Sequence, residues 1–301
     1  MGQKNQMELE KNRAIHWFKD LRDVILKNFE NLERNQEFGK FQKNKPGKFD
    51  KQKTSRLNSK NINQGGGEMA IMSNGRLFEK VGVNISTVYG ELSNEAIQMM
   101  TESKNLPHLK KNPSFWASGI SLVAHMQNPH LPAVHMNTRM FWTKGAWWFG
   151  GGADLNPCIE DPLDTKHFHA IQKKYCDKHD LRFYPKYKDW ADKYFYVPHR
   201  KRNRGVGGIF FDEHNTGNWE NDFAFVQDVG RAFLPAFTHI IEKKCHLDWN
   251  ENDKAKQLSH RGLYVEYNLI YDRGTKFGLS TGHDPDAVLM SLPPMASWSL
   301  N

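Results

Sequence analysis

The run AVHMNTRMFW (Ala133 to Trp142) sets an imidazole, an amide and a guanidinium at every second position. In an extended strand successive side chains alternate between faces, so His135, Asn137, Arg139 and Phe141 share one side, and Val134, Met136, Thr138, Met140 and Trp142 share the other. A polar row backed by an apolar one lets a sheet cover a core on one face and present acid–base and anion-binding groups on the other. An ordinary solvent-facing strand has the same pattern, so the run marks a candidate face and not yet a reaction. The preceding run SGISLVAH aligns Ser121, Val123 and His125. A short connection through Asn128, Pro129 and Pro132 lets the two runs pair as a hairpin, which directs His125 and His135 toward one cavity.

WWFGGGADLNP (Trp147 to Pro157) sets three glycines between paired tryptophans and Asp154. Consecutive glycines cost backbone entropy, so unusual dihedrals or a close backbone approach are expected there. Asp154 is then either a turn cap or a carboxylate with a chemical task. Apolar neighbours would raise its basicity and an adjacent arginine would lower it. Neither GGGAD nor GGGEM (Gly65 to Met69) fits a dinucleotide or Walker fingerprint. His167 and His169 flank Phe168, and His199 precedes Arg200. Neutral imidazole is a common metal ligand, but the chain has no HExxH and no compact two-histidine, one-carboxylate spacing. Arg204, Arg261 and Arg273 each precede a glycine, and guanidinium forks suit carboxylate or phosphate ligands.

These groups need a scaffold. The chain has 301 residues, 12% of them aromatic, which is enough for a sizeable core and excludes wholesale disorder. Its formal charge of +8 is concentrated in residues 1–64, which hold 15 Lys and Arg against 8 Asp and Glu. Apolar residues at three- and four-residue steps predict a helix from Ile15 to Leu32, and the Lys- and Asn-rich stretch Phe38 to Gln64 reads as a mobile connection. The expected organisation is therefore a basic helix and flexible linker over 1–64 and a catalytic domain over 65–301, with residues 1–60 dispensable for most of an enzymatic activity. No aromatic platform, zinc knuckle or helix-turn-helix pattern accompanies the charge, so nucleic acid is not an expected partner. From Gly65 on, β-rich runs separated by glycine turns (76–90, 118–125, 133–142, 206–212, 262–272) predict an antiparallel sheet, with helices over 164–179 and 222–243. Together these predict an α+β fold. Cys158, Cys176 and Cys245 share no CxxC spacing, no stretch reaches the roughly 20 apolar residues that span a bilayer, and the N-terminus lacks a secretion signal. A soluble, cytoplasmic chain is expected.

The motifs GRLFEKVGVNISTVYG, SLVAHMQNPHLPAVHMNTRMFW, WWFGGGADLNP, YFYVPHRKRNRGVGGIFFD, RGLYVEYNLIYDRGTKFGLSTG and LMSLPP, in that order, resemble the oxygen-dependent coproporphyrinogen III oxidases of heme biosynthesis over about Gly65 to Trp298. The resemblance implies a large flat antiparallel β-sheet flanked by helices on both faces, a homodimer, and oxidative decarboxylation of two propionates of coproporphyrinogen III to vinyl groups with O2, giving protoporphyrinogen IX. It implies His135 as proton donor, Asp154 as the carboxylate that engages pyrrole N–H groups, and Ser121, Asn137, Thr138 and Arg139 as substrate contacts. It also implies Gly282, His283 and Asp284 in a substrate loop, where many relatives carry an arginine that this chain lacks and His283 replaces. For a divalent metal such as Mn2+, used by some bacterial members, it points to His125, His135, His169 and His199, with His199 also tied to dimerization. No flavin, nicotinamide or heme is implied. A histidine-rich metallohydrolase and a tetrapyrrole- or nucleic-acid-binding protein are the rival readings.

Overall fold

A computed structural model of the chain describes residues 3–58, 60–104, 106–280 and 282–298. Its strands are β1 (Asp50–Leu57), β2 (Asn63–Ser73), β3 (Phe78–Glu91), β4 (Ser114–Met126), β5 (Ala133–Thr143), β6 (Ala146–Asn156), β7 (Tyr196–Val197), β8 (Arg202–Asn203) and β9 (Gly207–His214). Seven of them form one sheet in the order β1-β2-β3-β4-β5-β6-β9, with every neighbouring pair antiparallel. Helices α1 (Gln3–Asn35), α2 (Asn94–Lys104), α3 (Pro162–Asp177), α4 (Phe183–Tyr194), α5 (Trp219–Lys244), α6 (Glu251–Ile270), α7 (Arg273–Ser280) and α8 (Pro285–Leu289) complete the predicted α+β architecture.

Alternation assigns the two faces of the sheet. Val81, Val83, Ile120, Leu122, Val134, Met136 and Met140 point to one side and are at most 2% exposed. There α1 and α5 close over them. Phe18, Leu21, Ile25 and Phe29 line the inner stripe of α1, and Val226, Val229, Phe233 and Phe237 that of α5. The Phe29 ring lies 4.6 Å from Phe78 and 6.2 Å from Phe233. Burying one such side chain stabilises the fold by about 1.5–3 kcal/mol. The second face is covered in patches. Residues of α2 pack with Val88, Phe115 and Trp148, while Phe195, Val197, Phe210 and Tyr267 form a separate cluster. Polar side chains occupy the stretch of sheet between these clusters.

Two sequence expectations are corrected. The run Gly262 to Asp272 was predicted as a strand, but residues 262–270 are the second half of α6. Its β-branched and aromatic composition suits a strand, yet the buried positions Gln257, Arg261, Tyr264, Tyr267 and Asn268 follow helical spacing, and Asn250 with Asp253 forms a capping box at the start. Gly262 lets the C-terminal segment cross α6 closely, because a Cβ there would meet the Ser297 carbonyl oxygen at 2.7 Å.

The N-terminal 64 residues are also not a helix joined by a mobile linker. Residues 50–57 form edge strand β1, the boundary at 64 falls inside β2, and α1 supplies part of the main core. Glu33 of α1, fully buried, accepts backbone N–H groups from Gly47 (2.9 Å), Arg76 (2.7 Å), Leu77 (2.9 Å) and Phe78 (3.0 Å). One carboxylate thereby ties α1 to the approach to β1 and to the β2–β3 turn, so this part of the chain belongs to the folded core. Glu33→Ala would leave these buried donors without their acceptor and should cost at least about 3 kcal/mol. The shift of the urea midpoint at constant m measures this; a loss below about 0.5 kcal/mol, the size of an ordinary surface change, would contradict the assignment.

Candidate active site

Strand register brings the predicted polar row together. Ser121 on β4 pairs with Asn137 on β5, which pairs in turn with Gly152 on β6; His135 pairs with Asp154, and Arg139 with Gly150. The glycine run has no left-handed dihedrals. Its role is close approach, because a Cβ on Gly150 would lie 2.7 Å from the Arg139 guanidinium carbon. The guanidinium therefore lies over bare backbone. Arg139 Nη2 donates to Asp212 Oδ1 on β9 at 3.0 Å, and Arg273 Nη2 stands 3.8 Å from Asp212 Oδ2.

Below this opening, Asp154 is 1% exposed and fully engaged. Arg204, just before β9, donates from Nη2 to Oδ1 (2.9 Å) and Oδ2 (3.0 Å) and from Nε to Oδ2 (3.2 Å); Asn156 Nδ2 donates to Oδ2 (2.9 Å) and His135 Nδ1 to Oδ1 (2.7 Å). Burial alone would raise the Asp154 pKa, but Arg204, then His135 and Asn156, overcome it and hold the carboxyl below its ordinary value. The balance left open by the sequence thus falls on the side of a poor base. Both oxygens accept hydrogen bonds from the protein, and one of these bonds holds His135 in place.

The hydrogen-bond polarity then follows from the two charged ends. An ionised Asp154 only accepts, so His135 Nδ1 carries the proton and, in the neutral ring, Nε2 keeps its lone pair. Asn137 Nδ2 donates to that Nε2 at 3.0 Å, and Asn137 Oδ1 accepts from Arg139 Nη1 at 3.1 Å. Arg139, Asn137, His135, Asp154 and Arg204 form one continuous chain of hydrogen bonds.

The other predicted residues lie elsewhere. Thr138 is on the opposite face of β5, fully buried among core residues, and its side chain does not reach the polar row, as the period of a strand requires. The four histidines suggested as metal ligands do not gather. His125 is 1% exposed, donates Nε2–H to the Ser291 carbonyl (2.9 Å) and packs edge-on against Tyr264. His169 bonds Tyr184 Oη and the Val206 carbonyl, and His199 bonds Tyr271 Oη and Glu266. Of these four, His125 Nδ1 is buried without a hydrogen-bond partner, and no second donor stands with it; among the described residues no three His, Cys, Asp or Glu side chains cluster as ligands. This donor set does not fit a bound divalent ion. Gly282 adopts φ +75° against the Leu57 carbonyl, and Asp284 Oδ1 caps α8 by accepting from the Asp286 and Ala287 amides. His283 lies near Arg56 of β1, and burial followed by that charge lowers its pKa. The segment after α8 lies along the polar face, with the Leu292 carbonyl on Lys80 and the Ser291 carbonyl on His125. Sequence reasoning missed Asp212, Arg56 and the destination of Arg204. The signal for Arg204 was its place in a glycine-flanked run, but the anion it holds is the protein's own.

A family model described as coproporphyrinogen III oxidase matches residues 13–301. The chain belongs to the coproporphyrinogen III oxidase family. It is 48% identical over 292 residues to the oxygen-dependent coproporphyrinogen-III oxidase of Rickettsia bellii (strain RML369-C), covering 96% of this chain and 99% of that protein. The like-named protein of Rickettsia africae (strain ESF-5) is 48% identical over 278 residues, 92% of this chain and 94% of its own. That of Rickettsia akari (strain Hartford) is 47% identical over 289 residues, 96% and 98%. Among the described residues no helix is long and apolar enough to cross a membrane.

Two histidines beside the site of this family member give it a measurable acid response. Burial pushes His125 down to about 3, and burial together with Arg202 pushes His260 down to about 4. Unfolding lets both take up a proton below their ordinary value of 6.5 while the folded forms resist it. Stability should therefore be full above that pH and fall as pH drops toward the folded values, by about 1.4 kcal/mol per pH unit for each histidine. Urea titrations between pH 6.5 and 4.5 should show His125→Gln with the shallower slope; identical slopes would contradict it.

Proposed function

We propose that this family member removes CO2 and two electrons from each of two propionates of coproporphyrinogen III, passing the electrons to O2 and leaving vinyl groups. The observation that carries the reading is the unbroken polar chain on the open face, with a guanidinium at one end and an oriented imidazole in the middle. Each propionate loses CO2, one hydrogen as a proton and two electrons; the electron-rich tetrapyrrole supports that loss. O2 accepts the electrons and is the co-substrate.

Arg139, whose guanidinium lies over Gly150 because no Cβ stands there, pairs with a propionate carboxylate. Arg273 adds positive charge beyond Asp212. Ser121, between Asn84 and Asn137, offers a hydroxyl to the same face. His135 Nε2 is the atom at which a proton is held and delivered to reduced oxygen. Asp212, more exposed than Asp154 and held between Arg139 and Arg273, is the carboxylate that pyrrole N–H groups meet. On this reading the pyrrole N–H contact that the resemblance gave Asp154 passes outward to Asp212, and Asp154 is the anchor of His135. Arg56 supplies positive charge at the far side of the sheet, where the substrate loop has no arginine, and His283, held toward its neutral form by burial and by that charge, offers an imidazole there. The protein acts as a homodimer; exposed Tyr196, Leu269, Ile270 and Trp298, around the His199–Glu266 contact, supply the apolar patch such an interface needs. It works in the cytoplasm.

Purified protein supplied with coproporphyrinogen III under air should release CO2 and form protoporphyrinogen IX. Arg139→Ala should raise KM at least about tenfold with a smaller change in kcat, whereas His135→Gln should lower kcat by about 10²-fold or more at little-changed KM. No turnover under air, or the same KM and kcat for both variants as for the parent, would overturn the reading.

A further inference from the structure

Asn137, second in the polar chain, has a property that its charged members lack. Asn137 bridges the site's imidazole and its anion-binding guanidinium through opposite ends of one planar amide. Its Oδ1 must face Arg139, because a guanidinium offers no acceptor. Its Nδ2 must then face His135, and that contact is satisfied only while Nε2 has a lone pair. A proton on Nε2 sets two donors against each other. The amide can answer only by turning over, which gives Oδ1 to His135 and sets Nδ2 against the Arg139 donors. That second arrangement is satisfied when an outside acceptor stands between Arg139 and Asn137, and a carboxylate, with four lone-pair sites, can take both.

We propose that Asn137 is a two-position switch that couples carboxylate binding at Arg139 to protonation of His135. The proposal rests on the reading of Arg139 as the propionate site. With no carboxylate bound, the amide favours neutral His135. With one bound, it turns and favours the imidazolium, whose Nδ1–H stays on Asp154. The other charged or titratable groups facing His135 are fixed in kind: Asp154 and Arg204 as a buried pair, Asp212 and Arg273 at the opening, and His125, which burial keeps neutral. None of them needs to change protonation when the switch turns.

The coupling matches the proton balance of the reaction. Conversion of R–CH2–CH2–COO⁻ to R–CH=CH2 and CO2 releases one proton and two electrons. Reduction of oxygen by those two electrons consumes two protons, whether it ends as peroxide or water. Each vinyl group formed therefore draws one proton from solvent. Binding of the propionate is the step at which His135 acquires that proton. Its conversion to neutral CO2 removes the carboxylate that held the switch over, and the amide returns.

The test is calorimetric titration of the full-length protein with coproporphyrinogen III under strict exclusion of O2, near pH 7.5, in buffers of different ionisation enthalpy. The slope of heat against buffer enthalpy counts the protons taken up. Wild type should take up a proton fraction approaching one per site. His135→Gln and Asn137→Ala should each still bind but lose most of that uptake, although Asn137→Ala leaves both His135 and Arg139 in place. Asn137→Ala should also shift the acid limb of the kcat/KM pH profile, a change that loss of packing alone does not make. Full uptake in Asn137→Ala would show that charge alone links the two residues and would overturn the switch, as would absence of uptake in wild type. Failure of wild type to bind at all would instead remove the propionate reading beneath it, a separate outcome visible in the same titration.

Discussion

The buried pair between Arg204 and Asp154 is the constraint around which this protein is arranged. Both residues are at most 2% exposed. Placing two charges there is costly, and the fold offsets that cost by surrounding the guanidinium. Its carbon lies 4.3 Å from the ring centre of Phe195, 4.7 Å from Tyr264 and 4.6 Å from Tyr267. Those rings belong to the end of α4, which lies between β6 and β9 in sequence, and to α6, which follows β9, so elements outside the sheet surround the cation that keeps Asp154 ionised. Breaking such a pair from one side strands the remaining charge and typically costs about 3–5 kcal/mol. The pair is better understood as a means of fixing orientation than as a source of stability. An ionised Asp154 leaves His135 one way to hydrogen-bond, and the tautomer of His135 decides what the outer surface of the sheet can do.

How much of this was legible in the sequence depends on the distance over which each signal acts. The polar row on β5 could be read because strand alternation is local, and the structure keeps His135, Asn137 and Arg139 on one face. The same rule argues against a substrate role for the Thr138 side chain, which entered through resemblance to relatives. The glycines after Trp148 announced a close approach, but not that Arg139 was the group approaching. Whether Asp154 is basic was beyond sequence reasoning, because the deciding residue lies 50 positions further on and reaches it only once β9 joins β6.

The misread segments have equally specific causes. Residues 262–270 carry strand-like side chains, yet the helix containing them is nucleated upstream by its capping box and stabilised by contacts at Arg261 and Gly262. Residues 38–64 look like a linker because their outer positions are lysines and amides. Edge strands commonly carry such residues to block further pairing. A histidine-rich composition suggested a metal, whereas His125, His169 and His199 are each engaged with carbonyls, phenols or a carboxylate of the fold itself.

The central claim is that the ion pair fixes His135 with its proton on Nδ1 and its lone pair on Nε2, facing the open side of the sheet. Nitrogen-15 NMR of histidine-labelled protein near neutral pH, with the resonances of residue 135 assigned by comparison with His135→Gln, observes this directly. The account expects a protonated Nδ1 and an acceptor-type Nε2 in the free protein, and loss of that single-tautomer pattern in Arg204→Met. A His135 resonance pattern with the proton on Nε2, or one unchanged when Arg204 is replaced, would contradict it.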